Sequence, residues 1–154
     1  MDQSDIKIDK DGIWYYRGAH MFRKDILSLF FEHLKIDESG RYYIELNEET
    51  YYVDVEDTAF VVSAVFKTKQ EGENPEKIDV LLSDDCMETL DLNTISVGKD
   101  NVLYCRIKGG VFPARFTRSS YYQLAEFIEP DDENGTFFIP MNNEKYFIRN
   151  NQSF

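Results

Sequence analysis

Two stretches of alternating aromatic and polar residues dominate the pattern along the chain. Asp37–Val53 reads DESGRYYIELNEETYYV and Asp132–Ile148 reads DENGTFFIPMNNEKYFI. Successive side chains of a strand point to opposite faces, so each stretch predicts a β-hairpin. Asn47-Glu48 and Asn142-Asn143 suit two-residue turns, because Asn tolerates the left-handed conformation. Such turns set Tyr43 opposite Tyr52 and Phe138 opposite Phe147. Tyr42, Ile44, Leu46, Tyr51 and Val53 share the other face of the first hairpin; Phe137, Ile139, Met141, Tyr146 and Ile148 share that of the second. One face of each hairpin is expected to pack on a helix. The second aromatic face then needs another cover: the other hairpin unit, a partner subunit or a ligand.

A helical spacing precedes each hairpin. In RKDILSLFFEHLK, Ile26, Leu29, Phe30 and His33 fall on one face, widened by Leu27, Phe31 and Leu34, with His33 and Lys35 in the expected last turn. RSSYYQLAEFI, from Arg118, predicts the second helix, capped by Thr117 or Ser119 and stopped by Pro130. The first helix has no good capping residue. Arg23–Val53 aligns without a gap on Arg118–Ile148 at a constant offset of 95 positions, matching Gly40 with Gly135, Ile44 with Ile139 and Tyr51 with Tyr146. WYYR at Trp14–Arg17 resembles LYCR at Leu103–Arg106, with six extra residues after it in the second copy; there Gly109-Gly110 predicts a tight hairpin turn. The reading is an α+β fold of internally duplicated strand–helix–hairpin units joined by additional antiparallel strands. Residues 1–57 form the first unit, 58–100 the connecting β segment and 101–154 the second unit. Within the connection, Thr58–Thr68 and Ile78–Ser83 read as strands around an acidic loop at Lys69–Lys77, with shorter strand-like pieces over Thr89–Val97.

Composition narrows the functional classes. The 154 residues are 42% hydrophobic and include ten Tyr, twelve Phe and one Trp, enough for a real core rather than a disordered chain. The net charge of -12 opposes phosphate backbones and anionic membrane surfaces, so neither nucleic acid nor membrane is expected as a partner. The segment MDQSDIKIDKDG lacks the apolar core of a signal peptide, and no apolar run approaches the length of a membrane helix. A cytoplasmic setting is expected, with Cys86 and Cys105 as reduced thiols.

The segment DGIWYYRGAHMFRKDILSLFFEHLKIDESGRYYIELNEETYYVDVEDTAF resembles the N-terminal signature of the bacterial family named domain of unknown function 1285. Arg17-Gly18, Arg23, Leu29-Phe30, Gly40, Glu49 and Val55-Glu56-Asp57 occupy the places that carry the resemblance, which continues weakly through Arg118 and the second hairpin. Prolines of the family pattern are replaced at Ala19-His20 and Thr58-Ala59, which alters the turns expected there. The resemblance implies a fold of repeated α+β motifs and a pocket or signalling role. It implies no reaction.

Candidate chemistry rests on arginines, carboxylates and aromatics. Arg23 with Glu49, and Arg118 with Glu144, read first as structural ion pairs tying each helix start to a core-facing glutamate on its hairpin. In the sharper reading the two arginines flank a cleft between the units and hold a carboxylate or phosphate. Trp14, Arg17, His20 and Arg23, with Arg106, Arg115 and Arg118, would form a positive pocket whose aromatics stack a planar ligand. The plain reading is scattered surface arginines. Asp54, Glu56 and Asp57 fit a solvated strand end better than a cation site, because no calcium-loop pattern or supporting histidine accompanies them, and Asp84-Asp85 fits one less well. His20, His33, Cys86 and Cys105 match no zinc spacing and no nucleophile pair. No Walker loop, GxSxG, GxGxxG or HExxH occurs. No metal or cofactor is expected. The leading expectation is a non-enzymatic module binding a small anionic or planar ligand. The alternative is a structural or interaction protein that forms a homo-oligomer through Tyr43, Tyr52, Phe138 and Phe147, and an enzyme ranks third.

Overall fold

The computed structural model describes residues 4–69 and 71–150, and the chain divides into two compact units, Met1–Ala59 and Phe60–Phe154. Unit 1 runs through β1 (Ile6–Ile8), β2 (Trp14–Tyr16), β3 (Ala19–His20), α1 (Lys24–Glu32), β4 (Leu34–Ile36), β5 (Tyr42–Leu46) and β6 (Glu49–Val55). These strands make one six-stranded sheet in the order β3-β2-β1-β6-β5-β4. β1 is central: it pairs antiparallel with β2, Ile6 opposite Tyr16, and parallel with β6, Ile6 beside Val53. The β5–β6 hairpin has the register its turn dictates, with Tyr43 opposite Tyr52. Asn47 and Glu48 both take positive φ, 51° and 66°, as that turn requires. Ile8, Trp14 and Ile44 form the fully buried centre, with Leu34 and Val53 beside them.

The first helix is shorter than its periodicity suggests. It ends at Glu32, His33 is its C-cap, and Leu34-Lys35-Ile36 turns into an edge strand paired with β5. Leu34 is buried while Lys35 reaches out to Glu45 at 2.9 Å, so an in–out alternation replaces the last helical turn. Arg23 occupies the N-cap position and supplies no side-chain cap. No residue of α1 is fully buried. A nine-residue helix that is uncapped at its start is marginal alone and depends on its half-buried face, where Phe30 and Phe31 pack on Trp14.

Unit 2 begins with β7 (Phe60–Thr68), β8 (Lys77–Leu82), β9 (Met87–Thr89), β10 (Ser96–Val97), β11 (Leu103–Ile107) and β12 (Phe112–Phe116). It continues with α2 (Arg118–Ala125), β13 (Glu129–Asp131), β14 (Thr136–Met141), β15 (Glu144–Phe147) and β16 (Arg149–Asn150). A seven-stranded sheet has the order β16-β10-β11-β12-β7-β8-β9, and β13-β14-β15 forms a three-stranded sheet. Thus β7 and β8, expected as connecting strands, belong to the same sheet as β11 and β12. Lys108, Gly109 and Gly110 take positive φ in the β11–β12 turn. The β14–β15 register places Phe138 opposite Phe147, and Asn142 and Asn143 repeat the positive-φ pair at 50° and 66°.

Helix α2 is tied down more firmly than α1. Thr117 caps it by accepting a hydrogen bond from the Ser120 N–H, and Leu124 is fully buried. The pairing of β7 with β8 is irregular between Val62 and Ala64, and α2 side chains meet the backbone of β7 there. The Ser120 hydroxyl donates to the Val62 carbonyl at 2.7 Å, and the Gln123 side-chain oxygen accepts from the Val65 N–H at 2.7 Å. Pro130 does not stop this helix. The helix gives way at Glu126, and Pro130 lies in β13, an edge strand where a missing N–H is tolerated.

Together the elements give a mostly β, mixed α+β architecture with two helices and three sheets among the described residues.

Candidate functional site

A cleft in unit 1 follows from the loose seating of α1. It has a volume of about 580 Å³ and lies between the helix and one face of the sheet. Ile26 and Phe30 of α1 form one wall; Ile44 and Leu46 of β5 with Tyr51 of β6 form the other. This second wall is the hairpin face that carries Ile44 and Tyr51, so it is the helix-covered face. Ile6 and Tyr16, paired across β1 and β2, extend the wall, and the β3–α1 connection contributes Met21 and Phe22. Phe22 is 74% exposed and meets His20 edge-on with ring centres 5.8 Å apart; His20 in turn lies 6.0 Å from the Tyr15 ring. Among the lining residues only His20, Arg23 and Asn47 are polar.

The charge of Arg23 is already matched. Its guanidinium donates from Nη2 to Asp25 Oδ2 at 2.7 Å and from Nε to Asp25 Oδ1 at 3.2 Å. The hydrogen bond from Arg23 holds the Asp25 carboxyl below its usual range, and the opposite charge acts in the same direction. The expected tie from Arg23 to Glu49 is not formed. Glu49 shares the face of its pair Leu46 and of Tyr51 but lies at the exposed end of the hairpin, and it accepts from the Tyr51 hydroxyl instead. The second pair fails in the same way: Glu144 is exposed and accepts from the Tyr146 hydroxyl at 3.0 Å. Each glutamate raises the pKa of its tyrosine, first by accepting the hydroxyl's hydrogen bond and further because a phenolate beside a carboxylate is disfavoured. Arg118 is exposed at the start of α2.

The remaining candidates are dispersed. Trp14 is a core residue, 2% exposed, and not a surface for stacking a ligand; its Nε1 is buried with no hydrogen-bond partner among the described residues. Arg17 reaches Asp5 at 3.4 Å and lies over the Tyr16 ring. Arg106 donates to the Gly110 carbonyl, and Arg115 is half-buried in β12. Asp54 and Glu56 are exposed and Asp57 is half-buried. Asp84 is bound to Lys108 Nζ at 2.9 Å. Among the described residues no group of three or more His, Cys, Asp or Glu is placed to share a metal ion. Cys86 is exposed and Cys105 buried, both free thiols.

The other hairpin faces differ between the units. Tyr43 and Tyr52 pack ring to ring at 6.2 Å, and the Arg41 guanidinium caps Tyr52 at 3.8 Å. Phe138 is buried, whereas Phe147, 5.6 Å from it, is 46% exposed. Phe138 therefore offers no free surface of its own.

Unit 2 has its own cleft, of about 400 Å³, which sequence reasoning missed. Tyr121, Ala125 and Ile128 line one side; Leu103, Phe137 and Ile148 line the other, with Arg149 and Asn150 also contributing. Each of the two clefts is lined by residues of its own unit.

A family model described as "Domain of unknown function (DUF1285), N-terminal domain" matches residues 1–58. The chain is similar to the crystal structure of a DUF1285 family protein from Silicibacter pomeroyi DSS-3, with a TM-score of 0.78 and 23% identity over 98% of this chain and 81% of that one. It is also similar to a DUF1285 family protein from Shewanella baltica OS155, with a TM-score of 0.65 and 18% identity over 80% of this chain and 91% of that one. At these identities the likeness speaks for the fold. No curated protein matches the chain. No helix among the described residues is long and apolar enough to cross a membrane.

Proposed function

We propose that this chain, whose first 58 residues are the N-terminal domain of the DUF1285 family, is a non-enzymatic binding module that takes a flat or compact apolar small molecule into the cleft of unit 1. The observation that carries this reading is the 580 Å³ cleft itself. Its size falls within the range of small-molecule sites, and its walls are apolar and aromatic with a few polar groups, as such sites are. Of the two ligand classes expected from sequence, planar and anionic, the side chains favour the first. Arg23 spends its forked donors on Asp25, so an anion at this cleft would have to displace a carboxylate or sit beside it. Tyr16, Phe22 and Tyr51 offer ring faces and edges against which an apolar ring can pack. A regulatory or signalling role fits a cleft in which His20 packs against Tyr15 and Phe22 and no Cys, Ser or carboxylate side chain joins it in the lining.

The test is native mass spectrometry of the purified chain, comparing its mass with that of the denatured chain, on the wild type, Arg23→Ala and Phe22→Ser. The expected result is a small-molecule adduct that survives Arg23→Ala and is lost in Phe22→Ser. Loss in Arg23→Ala with retention in Phe22→Ser would replace the apolar ligand by an anionic one. A bare chain at an integral multiple of its mass would favour the homo-oligomer instead, with Tyr52 and Phe147 as the next positions to change.

The same reading includes an internal duplication. β1 lies parallel to β6 and antiparallel to β2, while β10 lies parallel to β16 and antiparallel to β11. The 95-residue offset carries Glu49–Val55, the whole of β6, onto Glu144–Asn150, which holds β15 and β16. Shared pairing order and sequence offset support one ancestral unit used twice, each copy with a cleft beside its helix.

A further inference from the structure

The cleft of unit 2 originates in a broken strand. β15 pairs with β14 in the three-stranded sheet, and β16 pairs with β10 in the seven-stranded sheet. A single residue, Ile148, separates them. The Ile148 N–H still donates to the Phe137 carbonyl at 2.9 Å, whereas the Arg149 N–H donates to Ile95 at 3.1 Å. The chain thus changes sheets within one step, and α2 lines the wedge left between them through Tyr121 and Ala125. Phe137 stays 54% exposed here although it belongs to a strand, and no side chain of the described residues covers it.

The rim of this wedge differs chemically from the cleft of unit 1. Arg149 is exposed, lines the cleft and has no carboxylate within ion-pair distance among the described residues. In a chain of net charge -12, an arginine beside an apolar cleft with no carboxylate partner among the described residues is a local exception to the surrounding field. Guanidinium matches the two oxygens of a carboxylate with parallel donors, and it gains most where the rest of the ligand excludes water.

We propose that the unit 2 cleft binds an amphipathic monocarboxylate, an aliphatic or aryl body carrying one terminal carboxylate. The body lies against Phe137, Ile148 and the α2 residues Tyr121 and Ala125, and the carboxylate pairs with Arg149. This site is separate from the apolar-ligand cleft of unit 1 and does not rest on it.

Isothermal titration of the full chain with dodecanoate, and with dodecanol as the uncharged counterpart, tests the assignment. Dodecanoate is expected to bind at one site per chain. Arg149→Ala should weaken dodecanoate roughly ten-fold or more and leave dodecanol unchanged, because it removes only the charge-assisted pair. Arg149→Lys should recover part of the loss and Arg149→Glu should abolish binding. Phe137→Ser, at an exposed position, should weaken both ligands, while Phe22→Ser in unit 1 should weaken neither. Far-UV circular dichroism checks that each variant is folded. The proposal is overturned if dodecanoate does not bind, if Arg149→Ala binds it as tightly as the wild type, or if Phe22→Ser removes the binding and Phe137→Ser does not.

Discussion

Replacing Trp14 with phenylalanine removes a side chain from the centre of unit 1, yet the structure implies almost no loss of stability. Trp14 is 2% exposed and packs on Phe30 at 5.9 Å and edge-on with Phe31 at 5.0 Å. Narrowing the indole to a single ring forfeits transfer free energy and leaves a small void; partial truncations of this kind cost about 1–2 kcal/mol. One six-membered ring remains against Phe30 and Phe31, so part of the aromatic contact survives. Against this loss stands the indole N–H, buried without a partner among the described residues. A buried unsatisfied donor costs about 1–3 kcal/mol, and phenylalanine does not carry it. The net change lies between a loss of about 1 kcal/mol and a gain of about 2 kcal/mol. Ile8→Ala supplies the scale in the same unit: Ile8 is fully buried and purely apolar, and its truncation should cost about 2–5 kcal/mol. Urea unfolding followed by far-UV circular dichroism measures both, since the fluorescence reporter is lost with the only tryptophan. If Trp14→Phe destabilises as much as Ile8→Ala at an unchanged m-value, the N–H has a partner and the reasoning fails.

Two further outcomes follow from the backbone and from one thiol. Glu48 holds φ of 66° in its hairpin turn, a conformation costing a non-glycine residue about 1–2 kcal/mol. Glycine relieves this but gains unfolded-state freedom, so Glu48→Gly should stabilise unit 1 by about 0.5–1 kcal/mol in the same urea assay. A loss of stability would show that the turn does not impose this strain. Cys105 is buried, and burial, aided by the negative charge of Glu88, pushes its thiol up to about 12 from the ordinary 9.0. Between these values the folded state keeps a proton that the unfolded state releases. The contribution is therefore fully present below pH 9 and lost as the pH rises toward 12, at about 1.4 kcal/mol per pH unit. Thermal unfolding at rising alkaline pH should show a shallower fall in Tm for Cys105→Ala than for the wild type. Equal slopes would mean that the thiol titrates normally.

What the sequence made legible was local. The two hairpins and their registers followed from the asparagine turns, because a two-residue turn leaves one way to pair its strands. The helices were found but not their ends. Leu34-Lys35-Ile36 is only three residues long, too short for its alternation to be told from the tail of an amphipathic helix. Pro130 was read as a helix stop, although α2 had already ended at Glu126 and the proline was free to enter an edge strand. The expected Arg–Glu ties lost to closer partners. Asp25 lies two residues from Arg23, and the Tyr51 and Tyr146 hydroxyls lie two residues from their glutamates. A contact two residues away orders little extra chain, which gives it the advantage over a contact between distant segments.

The clefts were illegible for a different reason: both come from incomplete packing, and no motif encodes that. In unit 1 the helix carries enough apolar residues for a closed interface, yet none is fully buried and Leu29 remains 43% exposed. Space is left between helix and sheet, and its walls are ordinary core residue types such as Ile26, Phe30 and Ile44. In unit 2 the helix is anchored by Leu124, Ser120 and Gln123, so the space moves to the broken strand at Ile148. An offset of 95 residues places Val53, Asp54 and Val55 where Ile148, Arg149 and Asn150 stand. In unit 1 these positions lie within one continuous strand, and Val53 is buried between β5 and β1. In unit 2 the strand divides, and Arg149, at the position offset from Asp54, lines the opening. Under the proposed reading the two clefts differ in the state of the arginine that lines each: Arg23 at the first is held by Asp25, whereas Arg149 at the second has no carboxylate within ion-pair distance among the described residues.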